Sequence, residues 1–178
     1  MDLGGAAPTW DSLEGCPPVI LVNLDPGCPH GDHDYVIADA LSAPFANATF
    51  DLVFSNSLIE HLGTKERQRA FAAEVHRLSR NGYFVQTPNK WFPIEPHYLA
   101  PFVHFFPKWI RSRMIRWFTP WGLVTKPSRE RCLRVCQEIR LLGAGEMKAL
   151  FPDADIVPER FLGLTKSLIA IRRTSCKP

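Results

Sequence analysis

At 178 residues, with 46% hydrophobic and 22% charged side chains, the chain is long enough for one domain with a real core and too mixed to be fibrous or disordered. No apolar run approaches the roughly eighteen residues that span a bilayer. The start, Met1-Asp2-Leu3-Gly4-Gly5, lacks the basic and apolar regions of a secretory signal, so a cytoplasmic location is expected. The net charge of +3 is unevenly spread: residues 1–64 hold nine acids and no Lys or Arg, while the remainder carries all 21 basic residues against nine acids. Either surface helices are concentrated in the second half, or that half meets an anionic partner.

In chain order, Val19 to Val22, Tyr35 to Ala38, Phe50 to Phe54 and Tyr83 to Gln86 are short apolar runs of the kind that form buried parallel strands. The clearest helix covers 65–80. Phe71, Val75 and Leu78 recur on one face, Thr64 can cap the start, and Asn81-Gly82 reads as a stop signal. Residues 88–128 are rich in proline and aromatics, with room for one or two short helices. Helical segments follow near 129–142 and 143–151. The tail alternates two strand-like runs, Ile156 to Phe161 and Ser167 to Arg172, joined by a turn at Gly163, which predicts an antiparallel pair. Strands alternating with helices imply an α/β domain with a mostly parallel sheet.

Five cysteines without a secretory signal argue against a disulfide framework. Cys132 and Cys136 fall one helical turn apart and read as reduced, packed thiols. Cys28, His30 and His33 share a Pro/Gly-rich loop, but their spacing matches no common zinc pattern, and no metal site is expected.

Several segments carry chemistry. Asp2-Leu3-Gly4-Gly5 places an acid before a tight glycine turn, which lets the backbone approach a ligand. One strand closes at Asn23-Leu24-Asp25, where a nucleotide fold puts a polar or acidic side chain for ribose hydroxyls. Another closes at Asp39-Ala40, followed by Ala43-Pro44-Phe45. The next opens with Phe50-Asp51-Leu52-Val53 and closes at Ser55-Asn56, followed by Glu60-His61.

This series resembles the class I S-adenosylmethionine-dependent methyltransferases, in their small-molecule branch, over residues 2–88 and again in the last hairpin. The resemblance implies a Rossmann-like sheet with helices on both faces and a C-terminal antiparallel hairpin. It implies one domain over 1–178, with 89–140 as a substrate-side insertion. S-adenosylmethionine is the implied cofactor, and the implied reaction is methyl transfer by in-line displacement to a small-molecule, glycan-precursor or lipid-linked acceptor. By position, Asp2, Gly4 and Gly5 stand where the family holds the cofactor's amino-acid portion. Asn23 or Asp25 stands where it takes the ribose. Asp39 and Ala40 stand at the adenine, and Ser55 and Asn56 above the cofactor. Asp39 also has a plain reading as a turn cap, and Ser55 and Asn56 as partners of loop backbone. An acceptor that keeps its proton at neutral pH needs a base, and His61, Glu60 and His97 are the candidates.

Phe102 to Trp121 interleaves seven aromatic residues with Lys108, Arg111, Arg113 and Arg116. On a helix, Ile110, Met114 and Trp117 share one face, with Trp109 and Ile115 off it. A lid over the active site is the first reading, membrane-surface contact the second, and a nucleic-acid surface a distant third, so no nucleic-acid partner is expected. Only Met1 precedes the Asp2-x-Gly4 turn, whereas the family places its central strand there. That strand is expected to be largely missing, with the reading frame extending upstream. A nicotinamide-dependent oxidoreductase would need a G-x-G-x-x-G turn that Gly4-Gly5-Ala6-Ala7-Pro8 does not supply. A degenerate methyltransferase serving as a non-catalytic binding module, peripheral to a membrane, is the other alternative.

Overall fold

The computed structural model describes residues 1–16, 19–25, 33–95 and 100–173. Its strands are β1 (Asp2–Leu3), β2 (Ile20–Asn23), β3 (Asp34–Ile37), β4 (Phe50–Asn56), β5 (Ser79–Pro88), β6 (Ile94–Glu95), β7 (Ala100–Pro101), β8 (Asp155–Phe161) and β9 (Leu164–Arg173). Seven of them form one sheet in the order β3-β2-β1-β4-β5-β9-β8, and β6 and β7 form a separate ribbon. The five strands from β3 to β5 pair in parallel. β9 runs antiparallel to both β5 and β8, so the tail forms the expected hairpin.

The central strand is a two-residue stub. Asp2 pairs with Leu21 on one side and Phe54 on the other, and Leu3 pairs with Val22. The Ser55 hydroxyl adds a bond of 2.8 Å to the Leu3 carbonyl, tying β4 to the stub a second time.

Helix α2 (Lys65–Leu78) follows β4 after a 3-10 turn at Ile59–Leu62. The Thr64 side chain accepts from the Arg67 N–H, as its cap position predicts. Phe71, Val75 and Leu78 are completely buried and pack with Val53, Tyr83 and Val85 on one sheet face. The sequence reading ran this helix to Arg80, but the chain passes directly from Leu78 into β5. Ser79 already pairs with Phe50 and Gly82 with Leu52. Gly82 is not a helix stop: a Cβ there would lie 2.4 Å from the Arg172 carbonyl of β9. On the opposite face, α1 (Ala7–Asp11) sets Trp10 edge-on against Phe54 at 5.0 Å, and Phe54 stacks on Phe84 at 5.1 Å.

Between β3 and β4 the chain forms no helix, and α2 holds it down instead. The buried Glu74 carboxylate accepts the Ala43 N–H at 2.8 Å and pairs with Arg77 at 2.6 Å. Arg77 in turn donates to the carbonyls of Phe45 (2.6 Å) and Ala43 (3.0 Å).

The segment after β7, expected from sequence as an insertion, contributes α3 (Lys108–Phe118), α4 (Pro120–Thr125) and α5 (Arg129–Glu138), and α6 (Ala144–Leu150) returns to the main core. The insertion has its own small core of Val103, Ile115, Cys132, Cys136 and Ile139. Both α5 cysteines are buried and outside any disulfide, and burial pushes the Cys132 thiol up. The expected face of α3 is corrected here. Ile115, placed off the stripe by the sequence reading, is fully buried, whereas Trp117 is 63% exposed. The helix packs against α5, so Ile115 and Ser112 turn inward while Trp109, Arg113 and Trp117 turn out. Among the described residues no helix is long and apolar enough to cross a membrane.

Replacing Glu74 with Ala leaves the Ala43 N–H without its acceptor and the Arg77 guanidinium without its carboxylate partner. We expect a loss of about 1–3 kcal/mol in urea unfolding, with Glu74→Gln recovering part of it. An unchanged midpoint in Glu74→Ala would show that the tether contributes nothing.

Candidate active site

Parallel pairing puts the carboxyl ends of β1, β2, β3 and β4 side by side, the edge where open α/β sheets take ligands. After Leu3 the chain turns at Gly4, whose φ of +82° suits glycine alone. Its N–H donates to the Val22 carbonyl at 2.7 Å. A Cβ on Gly4 would lie 2.9 Å from the Leu58 side chain, so the loop beyond β4 closes over this turn. A Cβ on Gly5 would lie 1.9 Å from the Asp2 carboxylate, which leaves room for no side chain there.

From the next strand, the Asn23 amide donates to the Gly5 carbonyl at 3.4 Å, and the Asn23 carbonyl accepts the Ala38 N–H at 3.1 Å. Asp25 lies two residues further on and is exposed. Half-buried Asp39 accepts the Leu41 N–H at 3.0 Å, and Ala40 is buried behind it. The bond to Leu41 is the turn-capping role, and it occupies one carboxylate oxygen. Ser55 is buried on the Leu3 carbonyl, so its hydroxyl serves the sheet. Asn56 is exposed and accepts the Ser57 hydroxyl at 3.2 Å. The Gly4 turn, Asn23, Asp39 and the loop beyond Phe54 thus share one edge.

Asp2 is the electrostatic centre of that edge. It is 2% exposed, and its Oδ2 accepts from the Trp10 indole at 2.8 Å. Its Oδ1 is buried with no hydrogen-bond partner. Burial pushes this carboxyl up to about 6, against the smaller opposing pull of the Trp10 bond. A buried carboxylate oxygen without a donor is costly and uncommon in a finished fold. Together with the glycine turn beside it, it fits a ligand that brings an ammonium or N–H group, as an amino-acid moiety does.

Next to this edge lies an open cleft of about 730 Å³ on the sheet face opposite α2. Phe54, Phe84, Phe92 and Ile169 supply apolar walls, and Gln86 and Asn89 supply polar groups. Of the site residues expected from sequence, Asn56 lines it.

The three candidate bases are placed differently. Glu60 is completely buried, and the Thr87 hydroxyl donates to its Oε2 at 2.9 Å. So placed, it ties the turn after β4 to the end of β5. His61 is exposed on the same turn. His97 lies outside the described residues, as do Cys28 and His30 of the histidine-bearing loop. His33 pairs with Asp11 at 3.3 Å, and among the described residues no three His, Cys, Asp or Glu gather as a metal site. Sequence reasoning missed two parts of the site, the indole of Trp10 on Asp2 and the Leu58 side chain over Gly4. Neither carries a motif: Trp10 folds back from α1 onto β1, and Leu58 reaches over from the loop after β4.

Residues 22–85 match the family model described as "Methyltransferase domain". No curated protein sequence matches the chain significantly. Among solved structures, the chain is similar to a Rhodobacter sphaeroides protein named as a candidate Zn-dependent alcohol dehydrogenase. That match has a TM-score of 0.61 and 13% identity over 97% of this chain and 82% of the other. It is also similar to 1,6-didemethyltoxoflavin-N1-methyltransferase of Burkholderia thailandensis, at TM-score 0.56 and 17% identity over 98% and 70%. A SAM-dependent methyltransferase of Methanosarcina mazei matches at TM-score 0.53 and 14% identity, over 98% and 92%. Likeness at such identities concerns the fold, and it is the Rossmann-like methyltransferase fold. The methyltransferase-domain match lies over the centre of the sheet, and the solved structures share the fold around it.

The sign of the Asp2 shift gives a test. Its carboxyl titrates near 6 when folded against 3.8 unfolded, so the folded state holds the extra proton between these values. The contribution of Asp2 is therefore most favourable below the lower value and is lost as pH rises through about 6. Asp2→Asn, which keeps an acceptor for Trp10, should raise stability at pH 7.5 by about 1–3 kcal/mol. The gain should vanish near pH 4 in parallel urea titrations. A variant less stable at pH 7.5 would contradict the assignment of Asp2 as a desolvated charge.

Proposed function

We propose that the chain transfers the methyl group of S-adenosylmethionine to a small-molecule, glycan-precursor or lipid-linked acceptor. The observation that carries this reading is the gathering of the Gly4 turn, Asn23, Asp39 and Asn56 along one sheet edge beside an apolar cleft. The cofactor supplies a methyl on a positively charged sulfonium, a leaving group that needs no further activation. What remains for the protein is to align the partners and exclude water.

In this reading, the Asp2 carboxylate and the backbone of Gly4 and Gly5 hold the amino-acid portion. Asn23 or Asp25 takes the ribose hydroxyls. Asp39 accepts from the adenine amino group, and Ala40 offers its amide. The walls at Phe54, Phe84 and Phe92 shed water around the acceptor, with Gln86 and Asn89 orienting it. For a hydroxyl acceptor, exposed His61 is the described residue suited to take the proton. The Burkholderia protein holds bound 1,6-didemethyltoxoflavin together with S-adenosylhomocysteine, which favours a small molecule here.

Calorimetric titration with S-adenosylhomocysteine tests the reading. Binding with a dissociation constant on the order of micromolar is expected, weakened about tenfold or more in Asp39→Ala. Absence of binding by the unaltered chain would favour the non-catalytic module.

Membrane-surface contact through 102–121 is a second proposal, favoured by the outer face of the insertion. Trp109 (65%), Trp117 (63%) and Phe118 (73%) are exposed on α3 with Arg113, and Leu123 and Val124 of α4 are exposed as well. Aromatic and basic side chains in this arrangement suit an interface with anionic lipid. Sedimentation with phosphatidylglycerol vesicles should fall by about tenfold in Trp109→Ser/Trp117→Ser. Equal sedimentation of both proteins would remove this surface from the account.

A further inference from the structure

A second concavity, of about 480 Å³, lies where the insertion meets the main domain, away from the apolar cleft. Its lining includes Lys65, Lys90, His104, Arg111 and Arg140, and no carboxylate. Two of its walls begin at the ends of the central strands. Gly63 to Lys65 follow the turn after β4, and Lys90 follows β5. The pocket therefore opens at the same end of the sheet as the candidate active site.

The charges are only partly consumed locally. Arg140 is held by Gln68 and by an ion pair with Glu146, so its charge is largely spoken for. Arg111 spends one guanidinium nitrogen on the Cys136 carbonyl at 2.6 Å, while its Nε is buried with no hydrogen-bond partner. Among the described residues no carboxylate pairs with Lys65, Lys90 or Arg111. The fourteen-residue helix α2 also begins here, adding the partial positive charge of its first turn. Glu66 in that turn is exposed and offsets only part of it. Like charges held around a concavity repel one another, and a concave, low-dielectric wall focuses their field on whatever enters. Phe106, Pro107, Ile139 and Leu141 make part of that wall apolar. An anion that collects several of these cations would relieve the repulsion and give the Arg111 Nε a partner.

We propose that this pocket binds a phosphate or pyrophosphate group carried by the methyl acceptor. The proposal rests on the methyl-transfer reading for the role of the bound group, but not for binding itself. Phosphate suits the site because its several oxygens can meet lysine ammonium groups and a guanidinium at once. It restricts the acceptor to phosphorylated compounds, whether water-soluble or lipid-linked.

The test uses inorganic pyrophosphate as the soluble probe and dihexanoyl phosphatidic acid as the lipid-type probe, each titrated by calorimetry. The double variant Lys65→Glu/Lys90→Glu reverses two exposed charges without touching the cofactor edge. Binding of at least one probe is expected, weakened about tenfold or more in the double variant and by added salt. Reversal of Arg160, exposed on β8, should leave it within about twofold. A preference for one probe identifies the soluble or the lipid-linked source. If neither probe binds, or if the double variant binds as well as the unaltered chain, the pocket assignment is overturned. S-adenosylhomocysteine binding is measured on the same proteins. If it persists while neither probe binds, only this pocket fails; if it is absent in the unaltered chain, the methyl-transfer reading fails instead.

Discussion

Everything at the functional edge depends on the pairing of two residues. Asp2 and Leu3 are the sole strand between β2 and β4, so their backbone bonds and the Ser55 hydroxyl join the two halves of the parallel sheet. Through this stub, the ends of β2 and β3 are placed beside the end of β4. If it were displaced, Asn23 and Asp39 would no longer share an edge with Asn56. The same two residues launch the Gly4 turn, so strand pairing and ligand geometry are one constraint.

A tension is built into that constraint. The side chain on the stub is a carboxylate, buried and half satisfied by Trp10, with its second oxygen unpartnered. Folding pays to desolvate it, and an apolar residue at this position would serve the sheet better. The arrangement makes sense where a ligand supplies the missing donor. Gly5, which tolerates no side chain against this carboxylate, belongs to the same compromise.

Much of this was legible in the sequence because it is local or periodic. The apolar runs at Ile20 to Val22 and Phe50 to Phe54, the stripe of Phe71, Val75 and Leu78, and the tail alternation each follow from one strand's or one helix's own pattern. The glycine turn and Asp39 were legible as well, since backbone approach and capping leave marks at fixed positions. What stayed hidden depends on partners far away in the chain. Asn81-Gly82 reads as a helix stop, yet it belongs to β5 because β4 and β9 pair with it. Trp117 reads as sharing one stripe with Ile110 and Met114 until α5 is seen to take Ile115 instead. The cationic pocket gathers Lys65, Lys90 and Arg111 from three separate segments, and no spacing along the chain announces it.

The central claim is that the Gly4 turn, Asn23, the Asp39 turn and Asn56 hold a single adenosyl ligand. Amide chemical shifts followed by NMR during titration with S-adenosylhomocysteine test it most directly. The account predicts that the signals of Gly4, Gly5, Asn23, Ala40 and Asn56 move together and saturate with one common dissociation constant. Shifts confined to the far wall of the cleft, at Phe161, Lys166 and Ile169, with the Gly4 and Ala40 signals unmoved, would contradict it.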